Sequence, residues 1–293
     1  MKKVEIPAPA KINLALDIEG LREDGFHEVK MIMQSISLHD WIVVRKRKKG
    51  IKITSSESSL PDDSGNIAYR AANMILNKKS VKTGVDIFIE KNIPIGAGLA
   101  GGSTDAAAVL KAINYLYSLD ISDKSLCDMA SLLGSDVPFC LKGGTALAYG
   151  RGEKIDQLPD LDVKDLVLVN PGFEVSTPWA YNKYDEITIT DKIPIESLLN
   201  ILKTNKGITW KEGWGNVLEK VTITYYSEIN KIKSILKDMG ALFVMMSGSG
   251  PTVFAVVENQ EDAAGILENW PRNNDFIISA RTVKKDFSRL YRK

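Results

Sequence analysis

Residues Gly96-Ala97-Gly98-Leu99-Ala100-Gly101-Gly102-Ser103-Thr104 place four glycines within seven positions, between a strand pattern and a helix pattern. Glycine lets backbone N–H groups approach a ligand, and a helix N-terminus adds positive potential, so the segment suits a di- or triphosphate. A tight strand-to-helix turn is the competing reading of the same residues. Gly96-x-Gly98-x-x-Gly101 meets the dinucleotide fingerprint literally, but no strand ending in an acid follows the helix, as that fingerprint requires. The P-loop template fails too, because Gly102-Ser103 stands where a Lys-Ser/Thr pair belongs. What is left is a third kind of phosphate loop, one whose lysine comes from elsewhere.

Two residues could act beside such a loop. Asp136 lies in Gly134-Ser135-Asp136-Val137-Pro138-Phe139, among apolar neighbours that leave a carboxylate in need of a partner or a role. An Asp in a turn before proline is the plainer account. Lys11 sits in the apolar stretch Ala8–Leu14, although strand lysines usually reach back to water. A Lys–Asp pair facing a phosphate loop suits phosphoryl transfer: the Asp accepts a hydroxyl proton, and the Lys keeps it ionised and stabilises the transferred charge.

Composition narrows the field. With 293 residues, at about 150 per domain, the chain is expected to form two domains, or one large one. The 38 basic and 37 acidic residues give a net charge of +1, so no global field draws it to nucleic acid or an anionic membrane. Two Cys and two His make zinc sites, iron–sulfur clusters and disulfide frameworks poor explanations, and an imidazole triad would have to use His27 or His39. The N-terminal lysines precede no apolar stretch and no apolar run reaches membrane-spanning length, so a cytoplasmic protein is expected.

The elements that must position these residues alternate in kind. Ile12, Leu14, Leu16 and Ile18 suit a strand over Ile6–Ile18. Met31–Leu38 and Trp41–Arg45 read as two strands joined at His39-Asp40, with Arg45–Lys49 and Gly50 as a hairpin tip and Ile51–Thr54 returning. Asn66 caps a helix over Ile67–Asn77, and Val85–Glu90 is a strand. A helix begins near Ser103-Thr104 with Asp105 in its first turn, and another runs from the Ser122 cap to Gly134. Thr145–Tyr149 is a strand, and the polar Ile155–Lys164 stretch places the expected division at 1–155 and 156–293. Beyond it, strands are expected at Leu166–Val169, Leu242–Met246, Thr252–Val257 and Ile277–Val283. Helices are expected at Pro194–Leu202, the first part of Trp214–Tyr226, Glu228–Met239 and Glu261–Trp270. The mixture is an α+β pattern.

Four segments together resemble the GHMP kinases (galactose, homoserine, mevalonate and phosphomevalonate kinases). Pro94–Ala107 resembles their phosphate loop and Ser247–Thr252 their C-terminal glycine motif. Pro9–Leu14, Arg22–Glu28 and Gly134–Phe139 narrow the likeness to the members acting on a CDP-linked methylerythritol. The resemblance implies a two-domain α+β fold with the active site in the cleft between domains. It also implies ATP-dependent phosphorylation of the 2-hydroxyl of 4-(cytidine 5'-diphospho)-2-C-methyl-D-erythritol in non-mevalonate isoprenoid precursor synthesis. Asp136 would be the base and Lys11 its partner. Pro94, Ile95, Gly96, Ala97, Gly98, Leu99, Ala100, Gly101, Gly102, Ser103 and Thr104 would wrap the ATP phosphates, with Mg2+ bridging them and Ser103 beside it. Asn66 and Lys91 would line the adenosine side, Asn13 the acceptor, and Phe26 and His27 the cytosine. Two residues depart from the family: Phe26 stands where Tyr is usual, and Ala100 where Gly is frequent, adding a methyl group. Between residues 174 and 240 no substrate contact is assigned, and Trp179, Tyr181, Trp210 and Trp214 are expected in the core.

A sister kinase acting on homoserine or mevalonate would share the loop, but a small aliphatic acceptor gives Phe26-His27 nothing to stack on. A nucleic-acid-binding module using Arg45–Lys49 is the alternative from another class; a solvated, aggregation-resistant strand end is the commoner use of such a run.

Overall fold

The computed structural model of the chain describes residues 3–187, 191–204, 210, 213–285 and 287. The expected absence of an N-terminal targeting segment rests in part on Met1 and Lys2, outside that set. In chain order the elements are β1 (Lys3–Leu21), β2 (His27–Arg47), β3 (Ile51–Ser55), α1 (Ile67–Lys78), β4 (Gly84–Glu90), α2 (Gly101–Leu116), α3 (Asp123–Leu133), α4 (Val137–Lys142), β5 (Thr145–Gly150) and β6 (Lys154–Gln157). The second half adds β7 (Asp165–Asn170), α5 (Thr177–Asp185), α6 (Ile195–Thr204), α7 (Val217–Tyr225), α8 (Ser227–Asp238), β8 (Phe243–Met246), β9 (Val253–Val257), α9 (Gln260–Glu268) and β10 (Phe276–Arg281). β1 to β6 form one sheet and β10-β7-β9-β8 the other, so the fold is α+β as expected. The division expected at 155/156 falls inside β6, which pairs with β5 and so belongs to the first sheet. Among the described residues no helix is long and apolar enough to cross a membrane.

β2 is one continuous strand rather than two. His39 and Asp40 stay in the ladder opposite Pro9 and Ala8 of β1, and β4 pairs with Trp41–Arg47 on the other edge. Nor does the chain return as a hairpin after the basic run: β4 inserts between β2 and β3, and β3 runs parallel to it. The two strands share one alternation: Val85, Ile87 and Ile89 of β4 and Ile53 of β3 are buried, whereas Phe88 and Glu90 of β4 and Lys52 and Thr54 of β3 are exposed.

The alternation expected along β1 is broken twice. Register shifts occur between Pro9 and Lys11 and between Asn13 and Ala15. Val4, Ile6 and Ala8 pack in one core, Ala10, Ile12 and Leu14 in a second, and Leu16 and Ile18 return to the first. Each bulge reverses the parity of the strand. The two together turn Lys11 and Asn13 toward the face that α2 covers.

Helix α7 runs from an Asn216 cap to Tyr225, later than expected at its start and through the β-branched run at its end. Within the helix Thr222 and Thr224 donate their hydroxyls back to Leu218 O at 3.0 Å and Lys220 O at 2.9 Å, so both side chains are satisfied without leaving helical geometry. Helices α4 and α5 have no counterpart in the expected pattern; α4 is only six residues long, and α5 carries a weak apolar stripe with Ala180 its one buried residue.

Candidate active site

Helix α2 starts at Gly101, two residues before the expected Ser103-Thr104 cap, and its N-cap is Ala100 with φ +59°. No side chain caps it, and its first intrahelical bond runs from Thr104 N to Ala100 O. The N–H groups of Gly101, Gly102 and Ser103 therefore have no helical partner, and all three residues line an open cleft of about 790 Å³. That volume lies within the ~300–1,000 Å³ of small-molecule sites. Unsatisfied amides at a positive helix end fit an anion, so the residues present fit a nucleotide's phosphates. Pro94, Ile95, Gly96, Ala97, Gly98 and Ala100 also line the cleft.

Two of the expected phosphate ligands do not. The Leu99 side chain is buried in the second core, and Thr104 is 1% exposed with its hydroxyl donated to Pro9 O at 2.8 Å. Thr104 thus clamps α2 to β1. Thr104→Val is expected to lower unfolding stability by about 1–3 kcal/mol, read in urea, because it leaves a buried carbonyl unpaired. The KM for ATP should stay within about twofold, since the clamp makes no uniform binding contact. Ala100 adds more than a methyl group to the loop: its left-handed backbone costs a non-glycine residue about 1–2 kcal/mol.

Lys11 does not reach back to water. It is 4% exposed, and Nζ donates to Asn13 Oδ1 at 2.7 Å and Gly98 O at 3.0 Å. Its third proton is left for Asp136, whose Oδ2 lies 4.0 Å away, within ion-pair reach but beyond a direct hydrogen bond. Asp136 caps α4 by position only. Its side chain makes no capping bond, so the carboxylate stays free at the cleft with about a third of its side-chain surface exposed. Asn13 is fully buried, its amide donating to the Met31 sulfur at 3.3 Å. Behind Asp136, burial pushes the Cys140 thiol well up, and the Asp136 charge adds to it.

The second glycine loop presses on the first. Ser247 Oγ donates to Gly98 O at 3.0 Å, and Asn216 holds the loop by donating to Met246 O at 3.0 Å and Gly248 O at 2.7 Å. Gly98 has φ +74°, and a Cβ there would lie 2.2 Å from Ser247 O. Both loops thus converge on the Lys11 ammonium.

Asn66 and Lys91 line the cleft with their polar groups already committed. Asn66 caps α1, accepting from Ala68 N at 2.9 Å and donating to Pro61 O at 3.0 Å. The Lys91 ammonium contacts Asp40 and lies 3.6 Å from Asp105. Asp105, expected in the first turn of its helix, is the fifth residue of α2 and 2% exposed. Burial pushes its carboxyl well above the usual range; Lys91 opposes that and Asp40 reinforces it. Asp40 also accepts from Asn92 N at 2.6 Å and Ile93 N at 2.8 Å, fixing the chain that leads into the phosphate loop.

At the other end of the cleft stand Phe26, half exposed with the Arg151 guanidinium 4.9 Å from its ring centroid, and His27. His27 does not stack on Phe26. Its ring packs against Tyr181 at 4.9 Å and edge-on to Tyr184 at 6.3 Å, and Nε2 lies 2.8 Å from Asp185 Oδ1. Tyr181, expected in the core, instead lines the cleft, where burial raises its phenol well above the ordinary value and Asp136 adds to the shift. Trp214 is buried as expected, Trp210 packs on it at 5.3 Å, and Trp179 packs on Tyr225 and Tyr226. Tyr181, Tyr184 and Asp185 all come from α5, whose weak periodicity hid them.

The GHMP kinases N terminal domain matches residues 66–144 and the GHMP kinases C terminal domain residues 199–275. The 4-diphosphocytidyl-2-C-methyl-D-erythritol kinase of Acetivibrio thermocellus is 46% identical, covering 97% of this chain and 100% of its own. That of Clostridium acetobutylicum is 41% identical, over 96% and 100%. A crystal structure of 4-(cytidine 5'-diphospho)-2C-methyl-D-erythritol kinase superposes with TM-score 0.78 at 34% identity, covering 95% of this chain and 98% of its own. Homoserine kinase from Cytophaga hutchinsonii shares the fold, with TM-score 0.75 at 22% identity over 97% and 95%. By near full-length identity, the chain belongs to the 4-diphosphocytidyl-2-C-methyl-D-erythritol kinases of the GHMP kinase family.

Proposed function

We propose that the chain transfers the γ-phosphoryl group of ATP to the 2-hydroxyl of 4-diphosphocytidyl-2-C-methyl-D-erythritol, with Asp136 as base and Lys11 as its electrostatic partner. The observation that carries this reading is the Lys11–Asp136 pair at 4.0 Å, in one cleft with the amide-lined phosphate loop and His27. Asp136 takes the hydroxyl proton as the acceptor oxygen bonds to the γ-phosphorus. The bond from that phosphorus to the β–γ bridging oxygen breaks, and ADP leaves. The third Lys11 proton is available to the phosphoryl oxygens, and the amides of Gly101, Gly102 and Ser103 receive their charge. Lys11 cannot swing away, because Asn13 and Gly98 hold its other two protons.

Mg2+ would neutralise charge on the ATP phosphates. Among the described residues no group of three His, Cys, Asp or Glu could hold a metal, so the ion would be held by the phosphates, with the Ser103 hydroxyl beside them. Free Cys127 and Cys140 suit the reducing cytoplasm in which we place the enzyme.

A homoserine or mevalonate acceptor would leave the aromatic end of the cleft without an occupant. An ADP-release assay offering the CDP-linked methylerythritol, mevalonate and homoserine side by side tests the assignment: turnover of the first alone is expected, and preference for either other acceptor would reject it. His27→Ala is expected to raise the KM for the CDP-linked acceptor about tenfold or more, the loss of one hydrogen-bonded contact, with little change in KM for ATP. Equal loss for both substrates would place His27 on the wrong side of the cleft.

A further inference from the structure

Asp185 does not line the cleft, yet it touches a residue that does. It is the last residue of α5, where a carboxylate sits at the unfavourable, negative end of a helix. Its side chain is 46% exposed, so an ion pair there contributes little to stability. Neither local structure nor stability accounts for an acid at this position. Its one close partner among the described residues is His27 Nε2, at 2.8 Å.

A carboxylate at that position accepts a hydrogen bond. A neutral His27 facing it therefore carries its proton on Nε2, which leaves Nδ1 with a lone pair. The ring cannot trade the two nitrogens freely. It is 9% exposed and wedged between Tyr181 at 4.9 Å and Tyr184 at 6.3 Å. His39 gives the contrary case: its Nδ1 lies 2.6 Å from Ser37 O, a carbonyl, so Nδ1 is the protonated atom there. For neutral rings, these two contacts call for opposite tautomers.

Cytosine and uracil have the same outline and stack equally well on an aromatic ring. They differ at positions 3 and 4: cytosine has an acceptor at N3 and an amino donor at position 4, whereas uracil has an N–H donor at N3 and a carbonyl acceptor at position 4. A ring nitrogen held as an acceptor opposite position 4 pairs with cytosine and opposes uracil. We propose that Asp185 is a positioning residue that fixes His27 Nδ1 as a hydrogen-bond acceptor toward the cleft, and that this makes the site select cytidine over uridine diphosphate ligands. The proposal rests on the reading that the pyrimidine of the acceptor lies at the His27 end of the cleft.

The experiment compares kcat/KM for 4-diphosphocytidyl-2-C-methyl-D-erythritol and its uridine counterpart, by ADP release, in the wild type and Asp185→Ala. A site that must bury an unpaired polar group to accept the wrong ligand discriminates strongly, so a wild-type ratio of about a hundredfold or more is expected. In Asp185→Ala the ratio should fall at least about tenfold, the loss of one hydrogen-bonded contact. Equal loss toward both acceptors, with the ratio unchanged, would reduce Asp185 to a structural contact and overturn the proposal. Nitrogen-15 NMR of labelled histidine reads the tautomer directly, with His27→Ala assigning the signals and His39 as internal reference. Protonated Nε2 in wild-type His27, relaxing toward a mixture in Asp185→Ala, is expected; protonated Nδ1 in the wild type would overturn the proposal. A wild type that turns over neither acceptor would defeat the proposed function instead, and the NMR arm would still decide the tautomer.

Discussion

Asp136→Asn is expected to lower kcat by about 10²–10⁴-fold, the usual contribution of a positioned general base. The amide is nearly isosteric with the carboxylate, and the parent side chain makes no capping bond, so α4 should keep its start. What is lost is the proton acceptor and the charge facing Lys11 Nζ at 4.0 Å. The phosphate loop draws on backbone amides of α2 and on no atom of Asp136, so the KM for ATP should change less than about threefold. Steady-state ADP release at saturating acceptor, with ATP binding by calorimetry, separates the two effects. Turnover within tenfold of wild type would remove Asp136 as base. A parallel loss of ATP affinity would show that it holds the loop rather than the hydroxyl.

Gly98→Ala is expected to be nearly as damaging, for a mechanical reason. A methyl group there meets Ser247 O at 2.2 Å and Gly250 O at 2.9 Å, both backbone atoms, on a residue with φ +74°. The left-handed backbone alone costs about 1–2 kcal/mol, and the clash must also push the two glycine loops apart. Gly98 O would then leave both Lys11 Nζ and Ser247 Oγ, each now 3.0 Å from it. A displacement of this size in a catalytic constellation costs about 10²-fold in turnover. Gly265→Ala in α9 is the control, because no atom lies within 4 Å of the added methyl and the helix should gain up to about 1 kcal/mol. Activity and thermal unfolding of the two variants distinguish loop displacement from a general intolerance of larger side chains. Gly98→Ala with wild-type turnover would mean that the loops do not act on Lys11 together.

The phosphate loop was legible because its chemistry is local. Glycines before a helix-forming run place unpaired amides at a helix start, and the helix expected after them forms over Gly101–Leu116. The capped starts at Asn66 and Ser122 were legible for the same reason: each side chain accepts from an N–H two or three residues on. That the Leu99 and Thr104 side chains point away from the cleft was not legible, because adjacency in sequence says nothing of which loop residues point inward. The strand order was misread at β3 because pairing depends on a segment some 30 residues later, and Ile51–Thr54 is locally as good a hairpin return as any.

By itself, the sequence determined the family and the class of reaction, through four segments that resemble the GHMP kinases, and it offered Lys11, Asp136 and the glycine loop as candidates for the groups involved. Only the tertiary structure decided where they act. Two bulges in β1 turn Lys11 and Asn13 to the cleft, and contact between loops about 150 residues apart places Gly98 O under the ammonium. A helix with almost no apolar signature brings Tyr181 and Asp185 to His27. Strand parity, loop contact and ring tautomer are each set by a partner distant in the chain, and a partner of that kind leaves no local pattern to read.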